Sequence, residues 1–208
     1  MLVLVRHALP AASAQAAPRD WPLSAGGRRA AGRLVARLPD PALLVSSTEP
    51  KAHQTLLPTA WRRGAVVDRD PRFDEVERPD EGWVDDPRPR RLRYLEGGAE
   101  HRWEGRDQVV SRFGAGIADW LARAEGDPVV VASHGLAMTL WLVAVAAVPA
   151  DRAGEFWSAL TFPDVVTLHQ DGERWRLAPN RPSEVRAGAP GRRAGRGRPA
   201  RRPRPRRP

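Results

Sequence analysis

Four apolar residues in a row, Leu2-Val3-Leu4-Val5, run straight into Arg6-His7. A strand with an apolar residue at every position offers no face to water, so it belongs inside a parallel sheet covered on both sides. A guanidinium and an imidazole at the end of such a strand are costly to bury unless they line a crevice. In open α/β sheets that crevice, at the carboxyl ends of the strands, is where ligands bind. The pattern recurs twice: residues 42–45 lead into Ser46-Ser47-Thr48, and residues 128–132 into Ser133-His134-Gly135. Each run is followed, at once or after a loop, by a stretch of helical periodicity. This is the alternation of a doubly wound fold. The expectation is an α/β domain of three layers, a mostly parallel sheet with helices on both faces.

The remaining elements follow from spacing and punctuation. Ser24 can cap a helix running to about Leu38, where Pro39 and Pro41 end it. A second helix is expected over 49–61 with Pro50 in its first turn, and a third short strand over 65–67. Residues 68–105 are rich in Pro and charge and are expected to be irregular; a loop so long in a compact domain is either a functional lid or a wrong parsing of the segment. Apolar spacing gives a helix over 108–124 and a buried helix over 136–148. Residues 165–169 and 175–177 flank Asp171-Gly172, a hairpin signal.

Composition narrows the chemistry. The chain has 208 residues and no cysteine, which excludes disulfides, thiolate metal sites and cysteine nucleophiles. Its longest apolar stretch, about 136–149, is too short to span a membrane. No basic and apolar leader opens it, so the cytoplasm is the expected location, with no membrane partner. The net charge of +9 is unevenly spread: residues 185–208 hold ten arginines and no acid. Subtracting that +10 from the whole leaves −1 over residues 1–184. The expected organisation is therefore a domain over 1–182 and a disordered Arg/Pro-rich tail over 183–208. Such a tail suits weak, non-specific polyanion binding, although a solvated extension with no role is the favoured reading.

Parallel strands carry their polar ends to one edge, which brings together Arg6, His7, Ser46, Ser47, Ser133 and His134. Lys51, one turn into the second helix and the single lysine among 34 basic residues, reaches the same edge. Two histidines, two cations and helix amino termini suggest a phosphate site. A metal centre is the weaker reading, because neither histidine has His-x-x-x-His or His-x-His spacing or an acid beside it. A Ser-His-Asp hydrolase lacks its Gly-x-Ser-x-Gly elbow here, and no phosphate loop of the Gly-x-x-x-x-Gly-Lys type occurs. No metal or other cofactor is expected.

Four stretches, in order, resemble the histidine phosphatase superfamily, which includes the phosphoglycerate mutases. Leu4-Val5-Arg6-His7-Ala8 is similar to its opening Arg-His-Gly motif, with Ala8 at the glycine. Residues 22–30, Pro-Leu-Ser-Ala-Gly-Gly-Arg-Arg-Ala, resemble Pro-Leu-Thr-x-x-Gly-x-x-Gln-Ala. Residues 46–55, Ser-Ser-Thr-Glu-Pro-Lys-Ala-His-Gln-Thr, resemble Ser-Ser-Pro-x-x-Arg-Ala-x-Gln-Thr, with Lys51 at the arginine. Ser133-His134-Gly135 matches the late Ser-His-Gly. The resemblance covers residues 2–148 and implies a phosphoglycerate mutase-like fold and a two-step phosphoryl transfer. In it His7 would be the nucleophile and form a phosphohistidine. Arg6, Lys51 and His134 would hold the non-bridging oxygens. An acid in the loop after the third strand would protonate the leaving alcohol and then activate water. Phe73-Asp74-Glu75 fits that context and assigns the role to Glu75, with Asp74 and Glu77 nearby.

The sequence departs from the family at Ala8, at Lys51, and at Pro10 and Ser13, where Thr and Asn are frequent. It also lacks the Asn-rich stretch of the mutases. A metal-independent phosphomonoester hydrolase is therefore favoured over a mutase-type phosphotransferase or a non-catalytic phosphate-binding scaffold. The substrate is expected to be a small phosphorylated metabolite or a phosphoprotein; oligomeric state is not legible. Trp120, Trp141 and Trp157 read as packing. His53, His101 and His169 read as bystanders. Trp83, Tyr94 and Trp103 would either wall the site or form a minicore, and Arg88, Arg90, Arg91 and Arg93 read as solvated charge.

Overall fold

The computed structural model describes residues 1–179 apart from Asp80, Gly82, Val84 and Glu173. The expected tail, 183–208, lies outside the described residues. Six strands form one sheet in the order β3-β2-β4-β1-β5-β6. They are β1 (Leu2–Arg6), β2 (Leu43–Ser46), β3 (Val67–Arg69), β4 (Val129–Ser133), β5 (Asp164–Asp171) and β6 (Arg174–Leu177). The first four are mutually parallel. β5 runs antiparallel to β1, with Asp164 opposite Arg6, and β6 closes the hairpin. Helices α1 (Ala25–Gly32) and α2 (Pro50–Arg63) cover one face. Helices α3 (Arg88–Leu95), α4 (Arg106–Arg123), α5 (Gly135–Ala144) and α6 (Ala153–Ala159) belong to the other.

The opening strand shows why the layers are three. Val3 and Val5 pack with Leu34, Leu56 and Ala132 on the α1/α2 side. Leu2 and Leu4 pack with Phe113, Leu136 and Met138 on the α4/α5 side. Each of the four is essentially inaccessible to water, and burying each such side chain stabilises the fold by about 1.5–3 kcal/mol. Trp120, Trp141 and Trp157 are buried packing residues. Among the described residues no helix is long and apolar enough to cross a membrane.

Several boundaries differ from expectation for identifiable reasons. The α-helical part of α1 stops at Gly32 and tightens into a 3-10 turn over Arg33–Ala36. The carbonyls of Val35, Leu38 and Pro39 beyond it are taken by the Arg63 guanidinium from the end of α2. The third strand starts at Val67, not residue 65, because Gly64 ends α2 with φ 62° and leaves Val66 exposed in the turn. Helix α5 ends at Ala144: Ala146 takes φ 55°, and the Ala147 and Val148 amides both return to the Leu142 carbonyl.

The stretch expected to be irregular contains α3, and α6 was not foreseen either. Helix α3 is Arg-rich and buries only Tyr94 and Leu95, so it carries almost no apolar period. It is pinned instead by charge. Glu81 accepts from Arg91, Glu100 accepts from Arg90 and Arg93, and Arg90 lies over the Trp103 ring at 4.8 Å. Arg88 pairs with Asp86 where both side chains stay exposed, and Arg93 is exposed too, so the solvated reading holds for these two while Arg90 and Arg91 are part-buried in their pairs. Tyr94 and Trp103, ring centroids 5.0 Å apart, form the minicore.

Candidate active site

The carboxyl ends of β1, β2 and β4 are tied to one another before any ligand is considered. The His7 amide donates to Ser133 O at 3.0 Å and the Ser47 amide to Ala132 O at 2.9 Å. The quoted motifs prove to be the scaffold around them. Ala8 is buried without a positive φ, and its amide donates to Thr55 Oγ1, which in turn donates to Lys51 O. Gln54 Oε1 accepts from the Leu23 amide. Ser24 caps α1 through the Gly27 amide and also donates to Leu9 O. A Cβ at Gly27 would come 2.2 Å from the Leu9 carbonyl oxygen, so only glycine lets α1 lie against the loop that follows His7.

His7 is buried, and its ring centroid is 5.1 Å from that of His134 and 5.2 Å from Phe162. Its Nδ1 lies 2.8 Å from Ala8 O. A carbonyl only accepts, so Nδ1 carries the proton and Nε2 presents a lone pair. Burial, followed by the charges of His134 and Lys51, holds the imidazole well below its ordinary value of 6.5, so the ring is neutral at pH 7.

His134 is fully buried and is oriented by a chain of hydrogen bonds. Ser47 Oγ donates its one proton to Asp74 Oδ1 at 2.7 Å and accepts from the Glu49 amide. The 2.8 Å contact from His134 Nε2 is therefore a donation to Ser47. This imidazole too is depressed well below 6.5, by burial first and then by Lys51. Its Nδ1, together with Arg6 Nε, is buried without a hydrogen-bond partner. Gly135 is required here: a Cβ would sit 2.8 Å from Trp157 Nε1 and 3.3 Å from Arg6 Nε. Arg6 donates to Leu160 O at 2.7 Å and lies over the Phe162 ring at 3.7 Å. Burial lowers it to about 10, against the pull of Glu75 and Asp164, and it stays charged at neutral pH.

The three acids after β3 occupy different positions. Glu75 faces the amino terminus of α5: Oε1 accepts from the Val76 and Ala137 amides at 3.0 Å, and Oε2 from Leu136 at 3.3 Å. Its burial favours the neutral form, but Arg78, His134 and the Val76 amide outweigh it, and the carboxyl lies below its usual range. Asp74 is committed to Ser47 and to the Thr48 amide and hydroxyl. Glu77 is exposed at the rim. Arg112 holds the backbone of this segment through the carbonyls of Arg72, Asp74 and Glu75. Arg112, on α4, was not anticipated, and neither was Glu49. The ammonium of Lys51 donates to Glu49 Oε2 and, at 2.7 Å, to Pro18 O. Glu49 stood in the sequence as one unremarked residue of a motif; its burial was the missing signal.

A cavity of about 540 Å³ opens beside Glu49 and Glu75, between the loop at residues 13–21 and the segment 74–91. Arg78, Trp83 and Arg91 from the segment 68–105 line this cavity. Trp83 faces Trp21 edge-on at 6.1 Å, and Ser13 lines the cavity as well. His101 and His169 are exposed, and the His53 ring meets Ser46 Oγ at 3.2 Å. Among the described residues no three acid, cysteine or histidine side chains converge as metal ligands.

Residues 2–180 match the model of a family described as the histidine phosphatase superfamily, branch 1. No curated protein matches the chain. Among solved structures, it is similar to a mycobacterial glucosyl-3-phosphoglycerate phosphatase solved as a vanadate complex. The two share 28% identity with a TM-score of 0.65, over 85% of this chain and 96% of that one. Bacillus stearothermophilus YhfR, at 24% identity and TM-score 0.71, covers 85% of this chain and 94% of its own. A mutant phosphoserine phosphatase from Entamoeba histolytica, at 14% identity and TM-score 0.68 over 85% of this chain and 93% of that one, shares the fold.

Proposed function

The chain belongs to the histidine phosphatase superfamily, and on that footing we propose that it hydrolyses phosphomonoesters through a phosphohistidine formed on His7. Phosphatase activity in general accords with the family and with the mycobacterial phosphatase it resembles. One observation carries the specific mechanism. His7 has its Nδ1 proton fixed on Ala8 O and its Nε2 lone pair available, beside two partnerless buried nitrogens, Arg6 Nε and His134 Nδ1. A phosphoryl group answers both. Its oxygens accept from Arg6 Nε at once and from His134 Nδ1 when that ring takes a proton, which the phosphoryl charge favours.

In the first step His7 Nε2 attacks phosphorus and the bond to the ester oxygen breaks as Glu75 gives that oxygen a proton. Glu75 is ionised at rest; a phosphoryl dianion beside it raises its proton affinity, and it takes up a proton from solvent as the substrate binds, which makes it the acid. In the second step the Glu75 carboxylate takes a proton from water, the water oxygen attacks phosphorus, and the phosphorus–nitrogen bond breaks. The leaving alcohol occupies the cavity walled by Trp21 and Trp83. Turnover of p-nitrophenyl phosphate should survive EDTA, be inhibited by vanadate and be lost in His7→Ala. Near wild-type turnover by His7→Ala refutes the mechanism, and a loss of rate under EDTA restores the metal reading.

A further inference from the structure

Lys51 stands at the arginine position of the phosphate-site motif, yet its ammonium is turned on a carboxylate. The Lys51 and Glu49 side chains are only 7% and 8% exposed, so the pair is buried. Glu49 is also shared with the rest of the site. Its Oε1 accepts from the Glu75 amide at 2.9 Å and lies 3.5 Å from His134 Nε2. Lys51 nevertheless remains near enough to depress both imidazoles. Arg6, Lys51 and Arg78 thus stand around two carboxylates, Glu49 and Glu75, and two neutral histidines, and of the three cations Lys51 is the one bonded to Glu49. A pocket meant for a dianion carries its own anion where an arginine fork is usual in the family, and lysine lacks the five donors that let a guanidinium serve two anions together.

We propose that Glu49 is a built-in competitor of the phosphoryl group for Lys51. It holds the ammonium in the resting site, yields it when a phosphoryl oxygen arrives, and takes it back after hydrolysis, which drives orthophosphate out. The site thereby gives up affinity for its product. This rests on the phosphate-site reading above. Glu49 also positions the Glu75 backbone, and Glu49→Gln separates the two roles: its carbonyl still accepts from the Glu75 amide while the charge is gone.

The test is calorimetric titration of orthophosphate into the full chain as wild type, Glu49→Gln, Lys51→Met and the double variant, with circular dichroism confirming each fold. Glu49→Gln should bind roughly tenfold tighter, the scale expected for removing a like charge from a partly buried site. The gain should disappear when Lys51 is Met, because no ammonium remains to be freed. A residue that served only as structure would weaken binding when altered. Lys51→Arg, which leaves Glu49 in place, should also tighten orthophosphate, since its fork can hold both anions. Unchanged or weaker binding by Glu49→Gln, a gain that persists without Lys51, or no gain in Lys51→Arg each overturns the proposal. Absence of orthophosphate binding in every form, wild type included, overturns the phosphate-site reading itself.

Discussion

Replacing Ser47 by alanine removes one oxygen on which three groups depend. Its hydroxyl accepts from His134 Nε2 at 2.8 Å and from the Glu49 amide at 3.1 Å, and it donates to Asp74 at 2.7 Å. Ser47 and His134 are both fully buried, so water does not replace it cheaply. Asp74 keeps two donors from Thr48, whereas the imidazole N–H and the Glu49 amide are left unpaired. Each buried donor so orphaned costs about 1–3 kcal/mol, for a total of roughly 2–6 kcal/mol. For a chain of this size that lowers the melting temperature by roughly 4–24 °C, at about 2–4 °C per kcal/mol. Ser13→Ala, at the cavity wall with two exposed bonds between its hydroxyl and Gln15, should stay within about 0.5 kcal/mol of wild type. Thermal and urea melts of both variants measure the difference. Orthophosphate binding should weaken in Ser47→Ala as well, because His134 is no longer held with Nδ1 towards the site. A Ser47→Ala protein as stable as Ser13→Ala, with unaltered orthophosphate affinity, would show that the relay does not orient His134.

Other consequences can be measured independently. Glu75→Gln should slow hydrolysis of alkyl phosphates by roughly 10²–10⁴-fold and p-nitrophenyl phosphate much less, since only the poor leaving group needs the proton; equal losses on both move the acid role elsewhere. Stability should fall as pH drops below about 6.5, where His7 and His134 protonate in the unfolded chain but not in the fold. A further loss should set in below the usual carboxylate range as pH falls towards the depressed value of Glu75. Melts from pH 8 to 5 should show the first slope reduced in His7→Gln, by about one bound proton, and an unchanged slope would mean His7 is not buried neutral. Gly27→Ala should destabilise by roughly 1–3 kcal/mol, because its Cβ meets the Leu9 carbonyl at 2.2 Å; a neutral substitution would show that the loop after His7 moves freely.

The sheet and its edge were legible because their signals are strong and local. A strand apolar at every position admits one environment, and Arg6-His7, Ser46-Ser47 and Ser133-His134 mark its ligand-facing end without reference to anything distant. What the sequence could not show depends on pairing across the fold. Helix α3 has no apolar stripe to betray it; it forms because Glu81 and Glu100 reach its arginines from outside. The end of α1 is set by Arg63, nearly thirty residues away in sequence. The partner of Lys51 was hidden for the same reason. Lys51 was visible as a cation, but its neutralising carboxylate two residues earlier becomes meaningful only once both are buried together.

The central claim is a covalent bond between His7 and phosphorus. Rapid acid-free quenching of the enzyme during turnover of a ³²P-labelled phosphomonoester, followed by alkaline digestion and mass spectrometry, tests it directly. The account predicts label that is stable to base, lost in acid, located on the peptide containing Arg6-His7-Ala8, and absent from His7→Ala. Label on another residue, or active turnover with no phosphoenzyme at any quench time or pH, would contradict it.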